Sequence, residues 1–277
     1  MRAERLWKRA LAQSKLALDA GALVPLQTQV DANQRLEPFV LRHLLSRTPK
    51  HLRAGGPKPN PFLPWEPLLE VDRLGDGHVL LLNKFPVQQG HLLVISAGWK
   101  PQSGWLDQAD WQAVGQLNED TSGLWFFNSS AAAGASQPHR HLQLLPRTCG
   151  EPNCPLEPLF RAWLAGDPSA MGAPSWSHRL SSRHNRDDPA ELEQLYSEHC
   201  QQLGLGSPAI DPVPTAPYNL LFTDHWLLTV RRRQEHAHGF SINALGFAGY
   251  LLATEGSDLH WLQRFGGWGL LNQVAHG

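Results

Sequence analysis

Apolar positions recur with two different periods along this 277-residue chain, and the switches between them outline its elements. Leu6, Leu11, Leu16 and Leu18 follow a helical spacing that runs out at Gly21. A turn is expected over residues 28–33 and a strand over 38–45 (PFVLRHLL). Pro, Gly and Lys crowd 49–64, which reads as an exposed loop. Strands are expected at 68–71 and 78–83, joined by the turn Gly75-Asp76-Gly77, and at 91–96 (HLLVIS). A helix over 105–117 precedes strands at 124–127 and 139–145, and 149–188 reads as irregular. An amphipathic helix is expected over 189–203, strands at 218–222 and 226–230, and a last helical region around 246–253. Strands and helices mix without strict βαβ alternation, which predicts an α+β fold with an antiparallel sheet flanked by helices.

Composition narrows the classes. The length suits one large domain or two small ones. Lys and Arg total 24 against 25 Asp and Glu, a net charge of -1, so bulk nucleic-acid or membrane-surface binding is not expected. Cys149, Cys154 and Cys200 are too few for a disulfide framework. The first 23 residues lack the continuous apolar core of a signal peptide, and no stretch approaches the roughly 20 apolar residues that span a bilayer. A cytoplasmic protein is the expectation.

The chemistry concentrates in 128–146, NSSAAAGASQPHRHLQLLP. His139, His141 and Gln143 alternate in an apolar stretch, so on a strand they share one face, while Arg140, Leu142 and Leu144 take the other. The small residues ahead of them leave room for a ligand against backbone N–H groups. Three readings compete. A plain polar strand face is disfavoured, because buried polar groups need partners. A metal site suits His-x-His but lacks a good third ligand. A nucleophilic histidine beside an amide that holds a phosphate oxygen fits the Gly-Ala-Ser-Gln-Pro lead-in best. Cys149-x4-Cys154 is too widely spaced for a zinc knuckle without a second pair. The run Arg231-Arg232-Arg233, and His236 and His238 in a polar loop, read as surface features.

The string GASQPHRHLQ resembles the diadenosine tetraphosphate phosphorylases, or ATP adenylyltransferases. These form a His-x-His-x-Gln branch of the histidine-triad superfamily, shared with the hexose-phosphate uridylyltransferases. Further likenesses lie in Gly21-Ala22-Leu23 with Thr28, Asn60-Pro61-Phe62 with Pro64, and Leu81-Leu82-Asn83-Lys84-Phe85 with HLLVIS. They continue in Tyr218-Asn219-Leu220-Leu221, Thr223, Trp226, and 241–249 (SINALGFAG). The resemblance implies a histidine-triad-like unit over 1–277, in which 1–190 carries the motif and 191–277 completes the pocket. It implies His141 as nucleophile, Gln143 as the amide on the phosphate oxygens and His139 as an orienting residue. It implies substrate contacts from Asn83, Lys84, Asn128, Gly134, Ala135, Ser136 and Gln137, and from Thr223 and Arg232. A basic residue near Arg47 to Lys50 belongs to the same expectation.

The implied reaction is phosphorolysis of diadenosine tetraphosphate to ATP and ADP, and its reverse, through an adenylyl-histidine. Mg²⁺ is expected to travel with the polyphosphate rather than in a protein cage. The expected partners are nucleotides and inorganic phosphate, with no nucleic acid or membrane, for a monomer or homodimer. Alternatives are a related nucleotidylyltransferase or hydrolase on ADP, adenylyl sulfate or nucleotide sugars, a non-catalytic nucleotide sensor, and a metal-dependent enzyme.

Overall fold

A computed structural model describes residues 2–31, 36–46, 60–146, 153–170, 172, 174–185 and 188–277. Among these, one eight-stranded antiparallel sheet carries the architecture. In spatial order its strands are β3 (Glu70–Leu74), β4 (His78–Leu82), β5 (Leu92–Ser96), β7 (His141–Pro146), β6 (Gly123–Asn128), β9 (Tyr218–Phe222), β10 (Trp226–Arg231) and β8 (His178–Ser182). Pairing of β6 with β9 joins the first half of the chain to the second, with Asn128 opposite Asn219. The central strands are apolar on both sides because both faces are covered, although they alternate at the site.

One face packs beneath three helices: α1 (Arg5–Asp19), α2 (Gln108–Asp120) and α4 (Pro189–Gln202). Trp111, Val114 and Leu117 of α2 and Leu192, Tyr196 and Cys200 of α4 meet Leu80, Val94, Phe127, Leu142, Leu144 and Phe222 of the sheet. The N-terminal helix forms where its spacing places it, but its buried positions are Ala10, Ser14 and Ala17. Leu16 is 59% exposed and Leu18 44% exposed. Small side chains let α1 lie close to its neighbours, with Leu6 and Trp7 packed at its first turn, so Leu16 and Leu18 lie off the contact face.

The opposite face carries two separate apolar clusters. Phe62, Val79, Leu81, Leu93 and Ile95 make the smaller one. Leu124, Phe126, Leu145, Leu221 and Val230 belong to the larger, beneath α6 (Leu259–Val274). His141 and Gln143 lie between them, because Gln143 stands opposite Leu93 on one side and Phe126 on the other. Two neighbouring strands thus supply apolar walls to a polar strip.

Several elements differ from the sequence-based expectation. Residues 28–30 form β1 (Thr28–Val30), which pairs with β2 (Val40–Leu44); β13 (Tyr250–Ala253) joins β2 in parallel. The first three residues of the expected turn are a strand because β2 supplies their partner, and residues 32 and 33 lie outside the described residues. The 149–188 stretch holds α3 (Glu157–Ala165) and β8, the short strands β11 (His236–Ala237) and β12 (Phe240–Ser241) pair with each other, and the region near 246–253 is a short helix, α5 (Ala244–Phe247), followed by β13. No helix among the described residues is long and apolar enough to cross a membrane.

Candidate active site

The two motif histidines are held in opposite ways. The Nδ1 of His141 lies 2.8 Å from the carbonyl oxygen of His139. A carbonyl only accepts, so His141 carries its proton on Nδ1 and leaves the Nε2 lone pair bare. No protein partner takes Nε2 among the described residues. Burial, with the nearby charges of His139 and Arg140 as smaller causes, lowers its pKa to about 4 against the hydrogen bond's opposite pull. His139 has neither nitrogen to spare. Asn60 Nδ2 donates to its Nδ1 at 3.0 Å, and its Nε2–H donates to the Ser96 carbonyl at 2.8 Å. Phe62 and Trp99 stand edge-on to its ring. Both ring nitrogens of His139 are thus taken by the protein, whereas His141 keeps Nε2 without a protein partner among the described residues.

Gln143 is placed by its neighbours. The Phe85 N–H donates to Asn83 Oδ1 at 3.1 Å, so the other amide atom of Asn83 is Nδ2. That Nδ2 donates to His91 Nδ1 at 3.0 Å, which puts the His91 proton on Nε2. His91 Nε2–H donates in turn to Gln143 Oε1 at 3.0 Å. The NH₂ of Gln143 is what remains to meet a ligand. Expected as a substrate contact, Asn83 instead spends its amide on this chain. Lys84 is exposed beside it, its ammonium 5.9 Å from the Phe85 ring centre.

Strand β7 is clamped from its other face. Arg140 NH1 pairs with Asp110 at 2.6 Å, and His78 holds the second Asp110 oxygen at 2.9 Å. Burial alone would raise the Asp110 pKa; the His78 hydrogen bond and the Arg140 charge outweigh it and keep the carboxylate ionised. Gln102 bridges where β6 and β7 part. Its Oε1 accepts the His141 N–H, and its Nε2 donates to the Asn128 carbonyl. Nothing in the sequence marks Gln102.

The small-residue loop is built differently from the expected N–H cradle. The N–H groups of Ala133, Gly134 and Ala135 close turns within the loop, on Ser130 and Ala131 carbonyls. Among the described residues no protein acceptor takes the N–H of Ser136 or Gln137. Gln137 also holds a buried Oε1 without a partner. Gly134 has φ +88, and a Cβ there would lie 2.6 Å from that of Asn243. The loop thus packs directly on Ile242 and Asn243. Asn128 joins the same junction: its Oδ1 accepts from Asn219 Nδ2 and the Ala244 N–H, leaving its own NH₂ to offer.

Two expected contacts lie elsewhere. Arg232 is 1% exposed, and its five N–H donors meet five oxygens. These are the carbonyls of Val274, Ala133, Gln234 and Ile242, and Asn219 Oδ1. It braces the loop from behind, and a buried cation with every donor taken has none for substrate. Thr223 lies four strand positions beyond Asn219, roughly 13 Å along β9. It belongs to the β9–β10 turn, where its Oγ1 accepts the His225 N–H. Residues 47–50 and Cys149 lie outside the described residues.

A groove of about 490 Å³ between α3, β8 and α4, lined by Ser181, His184, Glu191 and Gln194 among others, shares no residue with these.

Residues 1–162 match the Ap4A phosphorylase N-terminal domain, and residues 172–276 match the ATP adenylyltransferase C-terminal domain. Among curated relatives, the Saccharomyces cerevisiae protein named Protein APA1 is 25% identical over 267 residues, 86% of this chain and 83% of that one. Diadenosine 5',5'''-P1,P4-tetraphosphate phosphorylase 2 of the same yeast is 26% identical over 232 residues, 72% and 70% of the two chains. The fold is that of yeast Ap4A phosphorylase Apa2 in complex with Ap4A, at a TM-score of 0.74 and 22% identity, covering 99% of this chain and 98% of that one.

Proposed function

Because the chain belongs to the family of Ap4A phosphorylases and ATP adenylyltransferases, we propose that it splits diadenosine tetraphosphate with inorganic phosphate into ATP and ADP, and runs the reverse. The observation that carries this is the His141 tautomer, with Nδ1–H on the His139 carbonyl and Nε2 without a protein partner among the described residues, on the same face of β7 as Gln143. In the first step the Nε2 lone pair attacks the α-phosphorus, and the bond from that phosphorus to the bridging oxygen breaks. ATP leaves and the adenylyl group stays on Nε2. The ring gains positive charge, and its Nδ1–H bond to the carbonyl strengthens without a proton moving. In the second step a phosphate oxygen attacks the same phosphorus, ADP forms, and His141 returns neutral.

Donors to the phosphate oxygens come, in this reading, from the Gln143 NH₂, the N–H groups of Ser136 and Gln137, and the Asn128 NH₂. Glutamine contributes an N–H and no acidic proton, which favours transfer to phosphate over hydrolysis. Mg²⁺, in this reading, is held by the polyphosphate rather than by a set of protein ligands. Such an ion enters as a counter-ion of the polyphosphate, and no step is assigned to it.

The test is incubation with adenine-labelled diadenosine tetraphosphate, with and without phosphate. With phosphate, ATP and ADP should appear together. Without it, about one ATP per protein should form and label should remain on wild type, absent from His141→Ala. A His141→Ala protein that keeps a tenth of the rate, or AMP that forms equally fast without phosphate, sinks the reading.

A further inference from the structure

We propose that His91 is a positioning residue for adenylyl transfer, relaying the backbone N–H of Phe85 through Asn83 so that Gln143 is locked with its NH₂ toward the phosphate. This rests on the reading of His141 as nucleophile. The chain of bonds has a single polarity. A backbone N–H can only donate, so Asn83 must accept at Oδ1 and donate at Nδ2. His91 must then accept at Nδ1 and donate at Nε2, and Gln143 must accept at Oε1. One main-chain group thus decides which end of a side-chain amide two residues further along the network faces the substrate. Reversed, Gln143 would turn its oxygen lone pairs on phosphate oxygens.

The same device occurs twice. Asn60 accepts the Phe62 N–H at Oδ1 and donates Nδ2 to His139 Nδ1, whose Nε2–H meets the Ser96 carbonyl. An Asn-x-Phe unit therefore fixes the tautomer of a histidine at 60–62 and again at 83–85. The first histidine shapes the strand beneath His141; the second aims Gln143. His91 is itself held tightly. The Asn83 N–H bonds to its carbonyl at 2.8 Å. Gly90 before it has φ +73, and a Cβ there would lie 1.8 Å from the Trp7 ring. Facing His91 are Asn83 from its own turn, Phe126 from β6, and Gln143 and His141 from β7. His141 is the titratable one, and its charge disfavours a proton on His91, which burial already lowers to about 4. The relay therefore runs on the neutral ring.

Two measurements test this. The first is a cycle of His91→Phe and Gln143→Ala, read as kcat and KM for phosphorolysis. His91→Phe should lower kcat roughly 10- to 100-fold, as loss of an outer partner commonly does, with KM within threefold. In the Gln143→Ala background it should change kcat by less than about twofold, because its only route is through Gln143. An unchanged single variant, or the same factor in both backgrounds, overturns the proposal. A His141→Ala protein that remains active defeats the functional reading instead, so the two failures are distinct.

The second measurement is the pH profile of Asn83→Asp. The carboxylate still accepts the Phe85 N–H but now requires a proton on His91 Nδ1. At low pH the doubly protonated ring keeps donating to Gln143. As pH rises and His91 loses its Nε2 proton, Gln143 must turn over. This variant should gain an alkaline loss of kcat of at least about tenfold, which wild type lacks. A profile superimposable on wild type overturns the relay, even where His91→Phe fails to fold.

Discussion

Lowering the pH from 7 to 5 should leave the nucleophile intact while it weakens the fold. His91, His141 and His199 each titrate at about 4 in the folded protein against a usual 6.5, burial being the leading cause in each. At pH 5 about nine-tenths of His141 is still neutral, where an ordinary histidine would be only about 3% neutral. Stability behaves oppositely. A histidine whose folded pKa is lowered binds protons more readily unfolded, so stability is lost as pH falls below 6.5 and the loss levels off near 4. Each group costs about 2 kcal/mol at pH 5, and the three together about 6 kcal/mol, a large share of a typical 5–15 kcal/mol. Asp110 acts in a different window. Its folded pKa lies below 3.8, so its contribution is lost only at more acid pH. The assay pairs single-turnover transfer of label to His141 with urea unfolding at each half pH unit. Transfer should hold near its plateau down to about pH 5 while unfolding free energy falls steeply. His199 bonds Ser181 and Thr229, away from His141, so His199→Gln should reduce the pH slope without moving the transfer limb. A transfer limb near pH 6.5, or unfolding free energy flat between 7 and 5, would refute the argument.

Two further outcomes follow from the packing behind the loop. Arg232→Lys replaces five fixed donors with three, leaving carbonyls unpaired, and should cost about 2–4 kcal/mol. Thermal unfolding should fall by roughly 5–10 °C; an unchanged midpoint with raised KM would restore Arg232 as a substrate contact. Gly134→Ala combines a left-handed backbone with a Cβ against Asn243 and the Ile242 carbonyl. It should raise KM at least about tenfold while far-ultraviolet circular dichroism stays unchanged, and wild-type kinetics would mean that the loop is free to shift.

How far the sequence reached is clearest residue by residue. Alternation placed His141 and Gln143 on one face of β7, because a period of two is a local property of extended backbone; His139, expected on the same strand, stands two positions before it in an isolated bridge to Pro101. The same local rules marked α2, α4, the β3–β4 turn and most sheet strands within a few residues. Resemblance picked out His141, but spacing by itself left three chemistries open. What separated the two histidines was which carbonyl or amide each nitrogen meets, and those partners come from residues 60, 96 and 139. Arg232 looked like an anion contact in a basic run until five oxygens from five separate residues closed around it. Thr223 sat close in sequence to Asn219, yet a strand carries it about 13 Å away. Leu16 and Leu18 looked like a core face, while Ala10 and Ala17 form it, because depth of packing depends on the neighbour. Periodicity is written by neighbours in sequence and can be read there. Proton positions, donor counts and burial are written by neighbours in space, and only the folded chain brings those together.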